Sequence, residues 1–182
     1  MDRFAPLRAR TIALVGLMGV GKSSVGRRLA NALDLPFRDA DVEVEQAAGR
    51  SIPEIFAEIG EAGFREGERR VIARLLEEPP HVLATGGGAF MNPQTRALLK
   101  AKAITVWLKA DLEVLARRIS RKDNRPLLHG KDPMAVLKEQ AQVRYPIYAE
   151  ADVVVETTDS AHHVTVEQVL NALLAHLDGA AQ

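Results

Sequence analysis

Residues Gly16-Leu17-Met18-Gly19-Val20-Gly21-Lys22-Ser23 satisfy the pattern G-x-x-x-x-G-K-[ST] in full. Glycines at these positions let the backbone turn its N–H groups inward around an anion. A helix starting at the lysine adds the positive end of its dipole. In this arrangement Lys22 reaches the β- and γ-phosphates of a nucleotide, and the Ser23 hydroxyl is a ligand for one Mg²⁺. The plain alternative is a glycine turn that only joins a strand to a helix. An apolar, β-branched run at residues 11–15 precedes the loop, and a helical apolar pattern (Val25, Leu29, Ala32, Leu33) follows it. That context is the one the phosphate-binding reading requires. None of the ten aspartates has glycine three residues on, and N-K-x-D is absent, so the switch-GTPase signatures are missing and ATP is the expected nucleotide.

Asp39-Ala40-Asp41 closes a second short strand predicted over residues 37–41. Alternate residues of a strand share a face, so both carboxylates would point into one cleft. Two such groups repel unless a cation or hydroxyl donors separate them. Asp39 beside Mg²⁺ and Asp41 accepting from substrate hydroxyls would resolve the repulsion. A solvated turn, with Asp41 capping a following helix, is the other reading. Arg65 follows Glu61 by four residues and Arg70 follows Glu66 by four, the spacing of helix-surface ion pairs. Arg144 stands near a helix C-terminus, where a cation is favoured in any case. Arg117, Arg118, Arg121, Lys122 and Arg125 cluster before a loop. Planar guanidinium groups there suit a lid over a triphosphate. The five histidines show no metal-ligand spacing.

The elements that must position these groups alternate. Strands are predicted at 11–15, 37–41, 82–85, 104–108 and 153–156. Helices are predicted at 22–33, from 52, over 61–77, after Asn92-Pro93, after Asp111, over 134–148, and after a Thr165/Gln168 cap. Ser51 with Glu54 has the capping-box spacing. Alternation implies parallel strands with right-handed helical crossovers, a three-layer α/β fold whose ligands sit beyond the carboxyl ends of the strands. The glycine loop, the Asp39/Asp41 pair and Gly86-Gly87-Gly88 all fall at such ends. The 182 residues suit one domain, read here as a short flexible leader (1–10), a single P-loop domain (11–178) and a frayed tail (179–182). Basic and acidic residues balance at 24 each, so nothing global steers the chain to nucleic acid or an anionic membrane. The arginines near the N-terminus lack the apolar run of a signal peptide, and the absence of cysteine suits a reducing compartment; a cytoplasmic protein is expected.

The set of motifs resembles the shikimate kinase family. It is carried by the stretch from Gly16 to Ala30, Phe37-Arg38-Asp39-Ala40-Asp41, Gly49-Arg50-Ser51-Ile52-Pro53-Glu54-Ile55-Phe56, Gly63-Phe64-Arg65-Glu66-Gly67-Glu68, Leu83-Ala84-Thr85-Gly86-Gly87-Gly88, Arg125-Pro126-Leu127-Leu128 and Arg144-Tyr145-Pro146-Ile147-Tyr148, in family order over about residues 11–160. Ser24, where threonine is commoner, and Val20, in a small-residue slot, are mild departures. The resemblance implies a fold like the nucleoside monophosphate kinases, with a central five-stranded parallel sheet, a substrate-binding helical region (about 41–70) and a mobile lid (about 121–135). It implies ATP-dependent phosphorylation of the shikimate 3-hydroxyl in aromatic amino-acid biosynthesis, by a monomer. By position, Gly19, Val20, Gly21, Lys22, Ser23 and Ser24 hold ATP phosphates, with Ser23 on Mg²⁺. Asp41, Arg65, Gly87 and Arg144 bind shikimate, and Arg125 reaches the phosphates from the lid. Asp39 stands beside the reacting hydroxyl, and the 157–160 segment, Ser160 included, lies by the adenine. Lys22, Asp39 and Arg125 are thus the expected catalytic set. A gluconate kinase or another small-molecule P-loop kinase, and a non-catalytic ATP-binding regulator, are the competing readings.

Overall fold

The structure, a computed structural model, describes residues 2–121 and 130–181. Strand β1 (Thr11–Val15) is buried at every position. It lies between β3 (Val82–Ala84) and β4 (Ala103–Lys109), with Ile12 opposite both Val82 and Ile104. β2 (Phe37–Asp39) and β5 (Val153–Glu156) flank them, giving the parallel order β2-β3-β1-β4-β5 among the described residues. Central strands of a parallel sheet are covered on both faces and therefore read as unbroken apolar runs. At the β5 edge the pattern alternates instead, with Val153 and Val155 inward and Val154 and Glu156 outward. Helices cover the sheet: α1 (Ala5–Arg8), α2 (Lys22–Leu33), α3 (Ala40–Ala48), α4 (Ile52–Leu75), α5 (Pro93–Lys102), α6 (Leu112–Ile119), α7 (Pro133–Tyr148) and α8 (His162–Ala180).

Most of these elements start where the sequence places them, for local reasons. The capping box at Ser51 and Glu54 is formed, and the Asn92 side chain caps α5 through the N–H groups of Gln94 and Thr95. The two helices predicted at 52 and 61–77 are one continuous path broken at Gly60, whose φ of 72° no helix interior adopts.

Other expectations are corrected. β2 ends at Asp39, because the Asp39 carboxylate accepts the Asp41 N–H and starts α3 there. Asp41 therefore lies in a helical first turn, not in a strand, and the cap is Asp39 rather than Asp41. α8 begins at His162, three residues before the expected Thr165 cap; Thr165 is buried inside the helix. Asp111 stands at the N-terminus of α6 but makes no capping hydrogen bond. Residues 5–8, within the segment read as a leader, form a helical turn that buries Leu7 completely. There Arg8 Nε donates to the Leu33 carbonyl at 2.8 Å. No helix among the described residues is long and apolar enough to cross a membrane.

Candidate active site

The carboxyl ends of β1, β2 and β3 open into one cleft of about 680 Å³, lined by the glycine loop, Asp39, Asp41 and the triple glycine. β1 delivers the chain into the loop at Gly16, whose φ is 146°. A Cβ on Gly16 would stand 2.5 Å from the Leu108 carbonyl oxygen of β4, a backbone atom that cannot step aside. Gly21, at φ 97°, then turns the chain into α2. Lys22 is buried, and its ammonium donates to the Gly16 and Leu17 carbonyls, the latter at 3.1 Å. The ammonium is thus held against the loop's own carbonyls. One residue on, Ser23 Oγ donates to Asp39 Oδ2 at 2.6 Å. No group of three or more His, Cys, Asp or Glu side chains gathers into a metal site among the described residues. A hydroxyl and a carboxylate alone form the kind of sparse oxygen set on which Mg²⁺ keeps its waters and takes phosphate oxygens as further ligands.

Across the cleft, four charged side chains press on Gly86-Gly87-Gly88. A Cβ at Gly88 would meet Arg65 Nη2 at 2.5 Å. One at Gly87 would meet Arg144 Nη1 at 3.2 Å. One at Gly86 would meet Glu68 Oε2 at 2.7 Å and Asp41 Oδ1 at 3.0 Å. The glycines are therefore required by close approach: any side chain would displace a charged group of the site. Arg65 has the expected Glu61 partner at 3.6 Å and a nearer one in Glu68 at 2.9 Å. The Glu66–Arg70 pair forms at 3.0 Å on the outer face and also takes Arg69. Glu68 is buried, and its Oε2 has no hydrogen-bond partner among the described residues. Burial pushes its carboxyl above the usual value; Arg65 and Arg144 pull it down, and Asp41 pushes it further up.

At the far end of the cleft stand Arg118, Arg121, Asp159, Ser160 and His162. Arg118 Nη1 donates to the Gly19 carbonyl at 3.2 Å, and its Nη2 to Asp159 at 3.3 Å. The His162 imidazole is shifted down by burial first, then by Arg28 and Arg118. Arg125 and Lys122 belong to residues 122–129, outside the described residues.

The structure thus brings Lys22, Ser23, Asp39, Asp41, Gly87 and Ser160 to the lining of one cleft, and sets Arg144 and Arg65 against Gly87 and Gly88 of the same glycine loop. A protein-family model described as shikimate kinase matches residues 18–176. The chain belongs to the shikimate kinase family. A shikimate kinase of Caulobacter vibrioides is 74% identical over 172 residues, which cover 94% of this chain and 86% of that protein. One of Paramagnetospirillum magneticum is 56% identical over 182 residues, covering 98% of this chain and 93% of that one. Among solved structures, a shikimate kinase from Acinetobacter baumannii in complex with shikimate superposes with a TM-score of 0.91 at 38% identity, covering 96% of this chain and 98% of that one. A gluconokinase from Sinorhizobium meliloti, at 20% identity and a TM-score of 0.58, shares the fold alone. The five-stranded parallel sheet is the one that the shikimate kinase resemblance implied.

Sequence reasoning singled out neither Glu68 nor Tyr148. Both carried a usable signal, since Glu68 follows Arg65 by three residues and Tyr148 follows Arg144 by four, each on a shared helix face. It also set aside the histidines, yet His162 lines the cleft.

Proposed function

We propose that this chain is a shikimate kinase, transferring the γ-phosphoryl group of ATP to the 3-hydroxyl of shikimate in aromatic amino-acid biosynthesis. One observation carries the reading: two guanidinium groups, Arg65 and Arg144, and one carboxylate, Asp41, converge on the triple glycine, whose Gly87 lies beside Gly16 and Met18 of the phosphate loop. Cations hold an acid and an anion holds alcohols, which is the pattern of a hydroxylated monocarboxylate. The family membership and the likeness to a shikimate-bound relative support the same acceptor.

In this reading the backbone N–H groups of residues 19–24 and the Lys22 ammonium hold the triphosphate, with the adenine toward Ser160. Arg65 and Arg144 clamp the shikimate carboxylate by charge-assisted bonds, and Asp41 with the Gly87 N–H orients its hydroxyls. Phosphoryl transfer asks mainly for alignment and charge neutralisation. Asp39 sits at the end of β2 where it can accept from the reacting hydroxyl. Ser23 and Asp39 are the donors that would hold one Mg²⁺, which when bound neutralises charge on the phosphate oxygens. Arg125, outside the described residues, is the further phosphate-binding cation of this reading. The enzyme acts as a cytoplasmic monomer.

A coupled ADP-release assay across shikimate, gluconate and the nucleoside monophosphates tests this. Turnover with shikimate alone is expected. Turnover with gluconate and none with shikimate would replace the acceptor. Tight ATP binding without turnover on any acceptor would leave a nucleotide-binding regulator.

A further inference from the structure

Tyr148 is the largest side chain that is wholly buried, at 0% exposure, and it ends α7 one turn after Arg144. Its ring packs on Phe90 and Trp107, at centroid distances of 6.4 and 5.7 Å. Core packing explains the ring but not the hydroxyl. A phenylalanine would fill the same space without a polar atom to satisfy. The hydroxyl donates to the Gly87 carbonyl, 61 residues away in sequence. The point where a Gly87 Cβ would stand lies 3.2 Å from Arg144 Nη1, on the same helix face as the phenol. Three groups therefore meet: a loop peptide without a side chain, a cation packed against that peptide, and a phenol hydrogen-bonded to its carbonyl.

We propose that Tyr148 is a positioning residue for acceptor binding. Its phenol anchors the Gly87 peptide against which the Arg144 guanidinium packs, so that the loop and the cation facing the acceptor's carboxylate keep one fixed relationship. The inference rests on the reading of Arg144 as the carboxylate clamp. An arginine side chain has several rotatable bonds and loses rotamer freedom when fixed. A Gly87 peptide anchored by the buried phenol presents a fixed wall to the guanidinium before the ligand arrives, which lowers the ordering cost of binding. Burial pushes the phenol up to about 12, against the pull of Arg144. The hydroxyl therefore stays protonated, and stays a donor to Gly87, throughout the working pH range.

The test is calorimetric binding of shikimate and of ADP, measured separately on the full chain. Tyr148→Phe is expected to weaken shikimate about five- to thirtyfold, the scale of one buried hydrogen-bond network, and to leave ADP within about twofold. With an acceptor analogue carrying a hydroxymethyl group in place of the carboxylate, the penalty should vanish. In an Arg144→Ala background, adding Tyr148→Phe should change shikimate affinity by less than about twofold, because the coupled partner is already gone. A core-filling role predicts otherwise: equal loss for both ligands, the same loss for the analogue, or additive effects with Arg144→Ala. Any of these, or unchanged shikimate binding, overturns the assignment. Tyr148→Met is a second hydroxyl-free filler if the phenylalanine variant does not fold. Failure of both to fold would make the phenol a folding element and also overturn it. Wild-type protein that neither binds nor turns over shikimate would instead overturn the functional reading beneath it, before any variant is compared.

Discussion

Ser23 and Asp39, 16 residues apart in sequence, are joined by a 2.6 Å hydrogen bond from the serine hydroxyl to Asp39 Oδ2. The other carboxylate oxygen, Oδ1, accepts the Asp41 N–H and caps α3. One carboxylate thus fixes the start of the helix that carries Asp41 and is bound to the serine that follows the loop lysine.

The two roles of Asp39 separate under substitution. Asparagine caps helices about as well as aspartate, but it carries no charge. Asp39→Asn is expected to melt within a degree or two of the wild type and to lose at least about a hundredfold in kcat, the scale of one electrostatic catalytic group. Asp39→Ala should lose the same activity and about 1 kcal/mol of stability besides. Thermal melts and the ADP-release assay check both, and a fully active Asp39→Asn would remove the carboxylate from the chemistry.

Gly88 has no room for a methyl group because Arg65 Nη2 lies 2.5 Å from where it would stand. The guanidinium is the movable party: it is the far end of a flexible side chain, paired with Glu61 and Glu68 and lying over the Phe64 ring. Gly88→Ala should therefore fold and shift Arg65 rather than the backbone. The expected result is a rise in the KM for shikimate of about ten- to a hundredfold, the range for a charge-assisted bond, with the KM for ATP unchanged. Equal effects on both substrates would mean the loop itself had moved.

Glu68 links acceptor-site geometry to pH. Its folded-state pKa is raised above the ordinary glutamate value of 4.5, first by burial. The folded protein therefore holds this proton more tightly than the unfolded chain. As pH rises through the folded-state pKa, ionising Glu68 costs stability; as pH falls toward 4.5 that stability returns, and below it the dependence levels off. Denaturant titrations from pH 4 to 7 should show the wild type losing stability with rising pH relative to Glu68→Gln. A difference between the two proteins that is flat across this window would show that Glu68 titrates normally.

Leu7 is 0% exposed although it lies before the first strand. Leu7→Ala should cost about 2–4 kcal/mol, as for other buried leucines, measured by urea denaturation. An effect below about 0.5 kcal/mol would mean the segment packs only loosely.

Much of this was legible in the chain itself. The phosphate loop is a local device: its glycines, lysine and serine are adjacent in sequence, and strand and helix periodicities frame them. The capping box at Ser51 and the Asn92 cap are equally local, and both formed as read. The end of β2 was misjudged because an aspartate can extend a strand or cap a helix, and the choice depends on which N–H it meets. Thr165 was misjudged for a related reason. A buried threonine can sit inside a helix, and only packing against the sheet shows that it does.

The sequence alone therefore determined the nucleotide end of the site and the alternation that makes a parallel sheet, since both depend on groups close along the chain. The resemblance named Asp41, Arg65, Gly87 and Arg144, but only the tertiary structure decided how they meet and set Glu68 and Tyr148 among them. Arg65 with Glu68, Asp41, and Arg144 with Tyr148 come from three different helices and meet on a glycine loop that belongs to a fourth segment. Their partnerships are set by approach distances across the fold, and no spacing along the chain encodes a distance of that kind.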